Sequence, residues 1–306
     1  MSSTPDQRKI KSGIYGLNSM LHGGLNQHSA TVAIGPSGAG KTTMATQFLR
    51  RGLADGQEGI YITLDEPPEQ IIEEALQMGF EDLTHALERE QIIFIDASGK
   101  QFREFILKEL QGFVSSWGSS DARIVIDPLT PVLWATPTKY EQRELLSFLF
   151  KQGKRIGTVL ATLEEHGDAG QLSSAETAIP MYLADNILHL RMEVEGHMVS
   201  RTLRVLKTRA SGHSHRIAPY EIRRGLGVVV EPQHRKHRPR DAGGGDGETP
   251  EAWRAGVRRH LDGLGLPPAS HARVRQLVDA LEPEPILGLT AEQLIDLVLE
   301  DSAKGT

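Results

Sequence analysis

A glycine-rich loop between an apolar run and an amphipathic stretch constrains the fold of this chain more than any other feature. Residues 35–42 read Gly-Pro-Ser-Gly-Ala-Gly-Lys-Thr and fit the pattern G-x-x-x-x-G-K-[ST]. The loop follows the apolar run 31–34 and precedes a helical pattern over 41–54. Its glycines let successive N–H groups point inwards, and the helix adds the positive end of its dipole. The motif therefore predicts a strand, a phosphate-binding loop and a helix.

The loop also predicts which groups contact the phosphates and a metal ion. Lys41 would neutralise β- and γ-phosphate oxygens, and the Thr42 hydroxyl would ligate Mg²⁺. The predicted nucleotide contacts in the loop are Gly35, Pro36, Ser37, Gly38, Ala39, Gly40, Lys41, Thr42 and Thr43.

Short apolar runs alternate with amphipathic stretches from residue 30 to 162, which is typical of strand and helix units in a mostly parallel sheet. The predicted strands are 31–35, 60–64, 92–96, 123–127 and 158–162. The predicted helices are 41–54, 68–78, 102–116 and 141–155. After residue 185 the short runs 187–191, 202–206 and 228–230 have no helical partners, so we expect antiparallel strands that extend the sheet.

A domain boundary is predicted near residue 232. Residues 232–249 combine basic residues, proline and three consecutive glycines without apolar periodicity, as in a flexible linker. Residues 250–306 carry apolar residues at helical spacing in three short segments, which predicts a small helical module. The predicted main domain is 1–231.

Carboxylates after two strands are candidates for the metal ion and for a general base. Asp127 closes the strand 123–127, where a phosphate-loop fold needs a carboxylate for the water shell of Mg²⁺. Asp96 closes its strand in the same way, but Asp127 lies two strand-helix units beyond the loop strand. Asp65 and Glu66 follow the strand 60–64 and can face the phosphates as a base. Alternatively, they cap the helix that begins near residue 68.

Composition excludes several classes of protein. There is no cysteine, so disulfide scaffolds, thiolate metal sites and cysteine nucleophiles are ruled out. The histidines show no spacing that matches a zinc site. The amino terminus is polar and no apolar stretch approaches the length of a spanning helix, so we expect a soluble, cytoplasmic protein without membrane contact. A net charge of −6 is not that of a nucleic-acid-binding protein.

Seven segments of residues 8–231 share a further pattern. They are Gly13-Ile-Tyr-Gly16, Gly23-Gly24-Leu25, the loop 35–42, Thr63–Gln70, Arg123–Asp127, Ala184–Ile187 and Leu206–Arg209. In this combination they resemble the RecA-type ATPase domain of the KaiC family. The resemblance implies an α/β, RecA-like P-loop NTPase fold with a mostly parallel central sheet flanked by helices and antiparallel extension strands. It also implies a homohexameric ring that binds ATP and Mg²⁺ between neighbouring subunits. The small α-helical carboxy-terminal module predicted from the spacing of residues 250–306 lies beyond the resemblance.

The resemblance assigns roles by position. Lys41, Thr42 and Asp127 would hold the phosphates and Mg²⁺. The pair Asp65-Glu66 stands where the family has two consecutive catalytic glutamates, and the shorter Asp65 makes Glu66 the better candidate for the base.

Three further residues match groups that the family donates to the adjoining subunit. Lys207 and Arg209 match the basic pair that reaches the γ-phosphate there, like an arginine finger in trans. His213 matches a histidine on the same segment and is a further candidate nucleotide contact. Without the resemblance, the basic pair would be a solvated strand face.

The family's autokinase phosphorylates a Ser-Thr pair that is here replaced by Met181 and Tyr182, so we expect ATP hydrolysis without that activity. Two alternatives stay open. A RecA-like recombinase would need a basic or aromatic loop after residue 162, but the predicted loop 163–180 contains four acidic residues and no Lys, Arg, Phe, Tyr or Trp. A nucleotide-stabilised scaffold would bind a regulatory protein partner through the carboxy-terminal module.

Overall fold

A computed structural model describes residues 8–117, 120–166, 172, 174–196, 198–232, 250–264, 266, 268–280, 289 and 291–302. The strands are β1 (Lys9–Ile10), β2 (Leu25–Asn26), β3 (Ala30–Gly35), β4 (Gly59–Thr63), β5 (Ile92–Asp96), β6 (Ala122–Asp127), β7 (Gly157–Glu164), β8 (Asn186–Glu195), β9 (Met198–Thr208), β10 (Ile217–Arg223) and β11 (Gly227–Val230). The helices are α1 (Leu17–Met20), α2 (Lys41–Ala54), α3 (Pro68–Gln77), α4 (Asp82–Glu88), α5 (Gly99–Lys108), α6 (Leu110–Trp117), α7 (Thr130–Trp134), α8 (Lys139–Ile156), α9 (Ala175–Leu183), α10 (Pro250–Gly263), α11 (Pro268–Ala280) and α12 (Ala291–Ser302).

The main sheet has nine strands in the order β11-β10-β9-β8-β3-β7-β6-β4-β5. The six strands from β8 to β5 are parallel, and β9, β10 and β11 extend the sheet as antiparallel neighbours. This arrangement confirms the predicted α/β fold and the antiparallel extension through β9, β10 and β11. The expectation of an antiparallel strand at 187–191 is wrong, because β8 pairs parallel with β3. Helix α9, which precedes β8, supplies the crossover connection that a parallel strand needs. The strand β3 lies in the interior of the sheet, and the glycine-rich loop leaves its carboxyl end.

Apolar cores cover both faces of the sheet, which explains why the parallel strands are continuously apolar. One face packs against α2 through Met44 and Phe48, both fully buried. The other face packs against α5 and α8 through side chains such as Phe102 and Leu146. The sheet therefore holds the end of β3 between two packed layers.

Several helices differ from the sequence-based expectation. The predicted helix 102–116 is two helices, α5 and α6, interrupted at Glu109. The short helices α4, α7 and α9 were not predicted. The expectation of a loop through residue 180 is wrong for its last part, because α9 begins at Ala175 and contains Pro180. In α7, Pro131 lies in the first turn, where a missing N–H costs no helical hydrogen bond.

The carboxy-terminal helices share an apolar core with the edge of the main sheet. This core comprises Leu226, Val229, Val257, Leu261, Val274, Val278, Leu289, Leu294, Ile295, Leu297 and Val298. Leu226 and Val229 belong to the β10–β11 edge of the sheet, so the core of the three helices is continuous with that edge. The boundaries of the predicted domains stay a prediction, because the predicted linker 232–249 lies outside the described residues except for Pro232.

A charge cluster also joins α12 to the main domain. The Arg51 guanidinium pairs with Asp55 (2.9 Å) and with the Asp301 carboxylate (3.7 Å), and Arg123 approaches Asp55 (3.6 Å). The Asn18 side-chain amide and Arg51 also donate hydrogen bonds to Asp301. Burial lowers the pKa of Arg123 to about 10. Two buried guanidinium groups are thus balanced by two carboxylates, one of which comes from α12.

None of the helices in the described part of the chain combines the length and apolarity needed to span a lipid bilayer.

Candidate nucleotide-binding site

The glycine-rich loop has the backbone conformation that its sequence predicts. Gly38 (φ 77°) and Gly40 (φ 84°) are left-handed, and α2 begins directly afterwards at Lys41. The left-handed conformation of Gly40 favours glycine, and an added Cβ would also lie 2.6 Å from Ile222 Cδ1, so the end of that side chain would have to shift. Ser37 and Gly38 are exposed at the tip, while Ala39 is buried. The loop therefore presents its tip to solvent at the amino end of a helix.

The antiparallel extension supports the loop and its helix from behind. The Tyr220 hydroxyl on β10 donates to the Ala39 carbonyl (2.6 Å). Gln47 on α2 donates to the Leu226 carbonyl (2.8 Å) and accepts from the Val228 N–H (2.7 Å). Sequence reasoning missed Tyr220 and Gln47, because nothing local to either residue indicates a partner so far along the chain.

Lys41 lies among acidic groups at the carboxyl edge of the sheet. Its ammonium donates to the Pro36 carbonyl (2.8 Å), which folds the side chain over the loop. Burial lowers the pKa of Lys41, whereas Glu164, Asp127 and Glu165 act in the opposite direction. Thr42 and Thr43 are half-buried in the first turn of α2. Glu164 at the end of β7 was not among the predicted site residues.

Asp127 is fixed by hydroxyl groups on both of its oxygens. The Tyr61 hydroxyl on β4 donates to Oδ2 (2.7 Å), and the Thr162 hydroxyl on β7 donates to Oδ1. Burial, followed by the charge of Asp127, raises the pKa of Tyr61 well above its usual range, so its proton stays in place as a donor. Asp96, the alternative carboxylate, is exposed on the edge strand β5. Of the two, Asp127 therefore lies nearer the loop strand, separated from it only by β7.

Glu66 is directed towards the same edge of the sheet. Partial burial raises its pKa, and Glu74, Asp127 and Asp65 add to the shift. Asp65 is exposed. Helix α3 follows Pro67 without a side-chain hydrogen bond at its N-cap, so neither carboxylate caps it.

Lys207 and Arg209 lie at the opposite end of the sheet from the loop of the same chain. Lys207 on β9 pairs with Ile187, and Ile187 pairs with Val32 near the start of β3. The Lys207 ammonium donates to the carbonyls of Met181, Tyr182 and Ala184 at the end of α9 (3.0, 3.0 and 2.6 Å). This cationic contact at a helix carboxyl terminus is electrostatically favourable.

Arg209 belongs to the same contact. It donates to the Tyr182 carbonyl (2.8 Å) and is half exposed. Neither basic side chain is therefore brought together with Lys41 within one protomer.

His213 lies on the loop after β9. Its Nδ1 is 2.9 Å from the Thr208 hydroxyl, and its ring packs edge-on against His215 with centroids 4.9 Å apart. Burial lowers its pKa, with further contributions from His215 and His22. These histidines do not form a metal centre: the described residues include no group of three or more His, Cys, Asp or Glu side chains placed to hold a metal ion.

The residues at the carboxyl edge fit a magnesium-bound triphosphate. Backbone N–H groups at a helix start and the Lys41 ammonium suit an anion, while the Thr42 hydroxyl and the Asp127 carboxylate are oxygen donors of the kind that Mg²⁺ prefers. Beyond Gly38, a Cβ would meet only the Met192 side chain at 3.8 Å, so the tip leaves room for a ligand.

Comparison with known proteins identifies the family. The model of the family described as "ATPase: KaiC" matches residues 10–235. The chain belongs to the KaiC ATPase family. The match covers the whole nine-stranded sheet and stops before the carboxy-terminal helices.

Curated relatives agree with this assignment. The chain is 29% identical over 238 residues to the circadian clock oscillator protein KaiC of Thermostichus vulcanus, covering 74% of this chain and 45% of the relative. It is 30% identical over 225 residues to the protein of that name from Parathermosynechococcus lividus, covering 70% and 41%. It is 26% identical over 235 residues to the circadian clock protein KaiC3 of Synechocystis, covering 73% and 46%. This KaiC-family chain thus spans about half the length of the curated relatives that it matches.

Proposed function

We propose that this KaiC-family chain binds and hydrolyses Mg-ATP as a ring, with each active site shared between two subunits. One observation carries the proposal. The loop, Lys41, Asp127 and Glu66 lie at the carboxyl edge of the sheet, whereas Lys207 and Arg209 lie at the opposite end of the same protomer. A basic pair so placed can complete a nucleotide site only on a neighbouring copy. Head-to-tail repetition of that contact forms a ring when the rotation between neighbours closes, and the resemblance to the KaiC family supports the ring.

The residues of the loop side would bind and orient the triphosphate. The N–H groups at the start of α2 and the Lys41 ammonium would neutralise phosphate oxygens, and Thr42 and Asp127 would hold Mg²⁺, directly or through water. The metal ion would supply charge neutralisation on the phosphates. Tyr61 and Thr162 would keep the Asp127 carboxylate aimed at that ion.

Glu66 would act as the general base. It would take a proton from water as the water oxygen bonds to the γ-phosphorus and the bond from that phosphorus to the β–γ bridging oxygen breaks, which gives ADP and phosphate. Its raised pKa makes it a stronger base than an ordinary glutamate. Lys207 and Arg209 of the adjoining subunit would stabilise charge on the transferred group, with His213 contributing to the same nucleotide contact.

We propose a regulatory or signalling role without autokinase activity. The curated relatives are named as circadian clock proteins, which supports regulation as the role. The positions of the family's phosphorylated pair are Met181 and Tyr182 at the end of α9, where no serine or threonine hydroxyl is available. We further propose that the protein is cytoplasmic and does not depend on nucleic acid.

Steady-state ATP turnover per subunit, measured over a range of protein concentrations, tests the proposal. We expect turnover above the Lys41→Ala background and a specific activity that rises with concentration as rings assemble. Lys108→Ala is the matched control, because Lys108 makes only a surface ion pair with Glu104 (3.5 Å). Nucleotide binding with turnover at the Lys41→Ala level would instead identify a nucleotide-stabilised scaffold.

Subunit mixing tests the shared site directly. Lys41→Ala and Arg209→Ala should each be inactive, but a mixture places intact loops next to intact arginines. In a random equal mixture, about a quarter of the interfaces carry both groups, so we expect about a quarter of wild-type turnover. Arg89→Ala, at an exposed position after α4, controls for loss of surface charge. A mixture no more active than its components would refute sharing.

A further inference from the structure

A chain of three charged or titratable side chains, two of them buried, crosses the sheet beside the glycine-rich loop. The Glu165 carboxylate is 3.1 Å from His189 Nε2, and the Arg204 Nε–H donates to His189 Nδ1 (3.3 Å). The imidazole is fully buried and the Glu165 side chain is 4% exposed. These residues come from the end of β7, from β8 and from β9, and we call them the Glu165–His189–Arg204 triad.

The hydrogen bonds fix the protonation of the triad. Because Arg204 donates to Nδ1, that nitrogen must carry a lone pair, so the proton of the neutral ring is on Nε2 and points to Glu165. Burial, the largest influence on His189, lowers its pKa and favours the same neutral form. The imidazole therefore links a carboxylate to a guanidinium, and the net charge of the buried group is zero.

The triad is attached to the loop at one end. The Glu165 N–H donates to the Gly35 carbonyl (3.1 Å), and Gly35 is the first residue of the loop. Glu164, the preceding residue, and Glu165 are two of the three carboxylates that act on Lys41. A shift of the loop on nucleotide binding would therefore displace Glu165, which is hydrogen-bonded to it.

The other end of the triad is on the strand that carries the basic pair. Arg204 and Lys207 lie three residues apart on β9, and β9 leads directly to Arg209. Lys207 and Arg209 are held on the carbonyls at the end of α9. Strand β9 thus extends from the level of the loop to the groups presented to the next subunit.

We propose that Glu165, His189 and Arg204 are positioning residues that couple the nucleotide state of one subunit to the basic pair it presents to the next. The coupling rests on the proposed ring with shared sites. A small displacement of β9, transmitted from the loop through the triad, would move Lys207 and Arg209 relative to α9. Nucleotide binding around the ring would then be cooperative.

Binding of a fluorescent ADP analogue, followed by titration, tests the coupling without requiring turnover. We expect a Hill coefficient above 1 for the wild-type protein and about 1, the value of independent sites, for His189→Leu. His189→Gln should retain cooperativity, because its side-chain amide offers both a donor and an acceptor. Arg89→Leu is the control for the loss of an arginine, since Arg89 is exposed after α4.

If His189→Leu does not fold, Arg204→Leu tests the coupling in its place, because Arg204 is only half-buried. The coupling is wrong if Arg204→Leu and His189→Leu keep the Hill coefficient of Arg89→Leu. It is also wrong if His189→Gln loses cooperativity together with thermal stability, which would indicate a structural role alone.

Turnover and binding measurements distinguish failure of the proposed function from failure of the coupling. Wild-type turnover at the Lys41→Ala level refutes hydrolysis, while the binding curves still decide the coupling. A wild-type Hill coefficient of 1 with normal turnover refutes the coupling and leaves hydrolysis intact.

Discussion

Single hydroxyl groups outside the sequence motif hold the main groups of the site in place. Tyr220 fixes the loop through the Ala39 carbonyl, and Tyr61 and Thr162 fix the Asp127 carboxylate. Hydrogen bonds to ionised groups are stronger than those between neutral groups. The orientation of Asp127 is therefore set by neighbouring strands.

Tyr61→Phe tests this support. The substitution leaves the ring in its stacked contact with Phe94 (5.0 Å) but removes the donor to Asp127 Oδ2. We expect the free energy of unfolding to fall by about 2 kcal/mol, as for other hydrogen bonds to buried charged groups. Urea denaturation measures the loss, with the exposed Tyr140→Phe as control. Equal stabilities for the two variants would contradict the expectation.

Glu66 is expected to control the pH dependence of turnover. A base acts in its ionised form, so activity is lost as the pH falls through the pKa of this carboxyl. Because burial and neighbouring carboxylates raise that pKa, the acidic limb of kcat/KM should lie above the ordinary glutamate value.

Glu66→Gln should lower turnover by about a hundredfold or more while nucleotide is still bound. Asp65→Asn serves as the control. We expect it to keep most of the rate and to move the acidic limb only slightly to lower pH, because Asp65 is the smallest of the influences that raise the pKa of Glu66. The base is misassigned if Asp65→Asn is the more damaging change.

Among the helices and strands, two glycines have opposite effects: one position needs glycine, and at the other glycine lowers the stability of a helix. Gly40 is left-handed at the start of α2, and an added Cβ would meet Ile222. Gly112 lies inside the short helix α6, where an added Cβ would meet no atom within 4 Å. Glycine is therefore required at Gly40 and costs stability at Gly112.

Alanine at these two positions separates binding from stability. Gly112→Ala should raise the free energy of unfolding by about 0.5–1 kcal/mol, because alanine has the higher helix propensity. Gly40→Ala should abolish nucleotide binding measured by titration. A Gly40→Ala variant with wild-type affinity would show that the loop adapts to a side chain.

The sequence predicts the five parallel strands β3 to β7 well because each contains an apolar run and is followed by a loop motif or a carboxylate. It does not predict the parallel direction of β8, whose apolar residues alternate with His189, Arg191 and Glu193. It does not predict α4, because the buried residues of this helix are Leu83 and Ala86, and two apolar positions are too few to show a helical periodicity. The sequence does not predict α7 and α9 because each contains a proline, which indicates a loop. Pro131 lies in the first turn of α7, where it costs no helical hydrogen bond, whereas Pro180 lies inside α9.

Contacts distant in sequence were the other unpredictable part of the site. Tyr220 and Ala39 are 181 residues apart, and Tyr61 and Asp127 are 66 apart. No local pattern at a tyrosine indicates which carbonyl or carboxylate it will meet. The loop and Asp127 could be found because their neighbours in the chain already define the context.

For the whole molecule, the carboxy-terminal helices are part of the packing of the main domain. Their core includes Leu226 and Val229, and Asp301 balances the charge of Arg51. A regulatory partner proposed for this module would therefore meet a surface whose apolar side is already packed against the sheet edge.

Asp301→Ala tests how firmly α12 belongs to the domain. The change leaves buried guanidinium charge without its second carboxylate, and breaking a buried pair in this way costs about 3 kcal/mol of unfolding free energy. Asp296→Ala is the matched control on the same helix, since Asp296 is exposed. Chemical denaturation of both variants measures the difference. Equal stabilities would mean that α12 is not docked through Asp301.

Helix α2 has the glycine-rich loop at its amino end and the Arg51–Asp301 contact near its carboxyl end. Two binding events that share one rigid element are thermodynamically linked, and linkage is reciprocal. Any factor by which docking of α12 changes nucleotide affinity is also the factor by which nucleotide changes the docking of α12. A nucleotide titration of Asp301→Ala beside wild type would therefore measure that free energy for both directions at once.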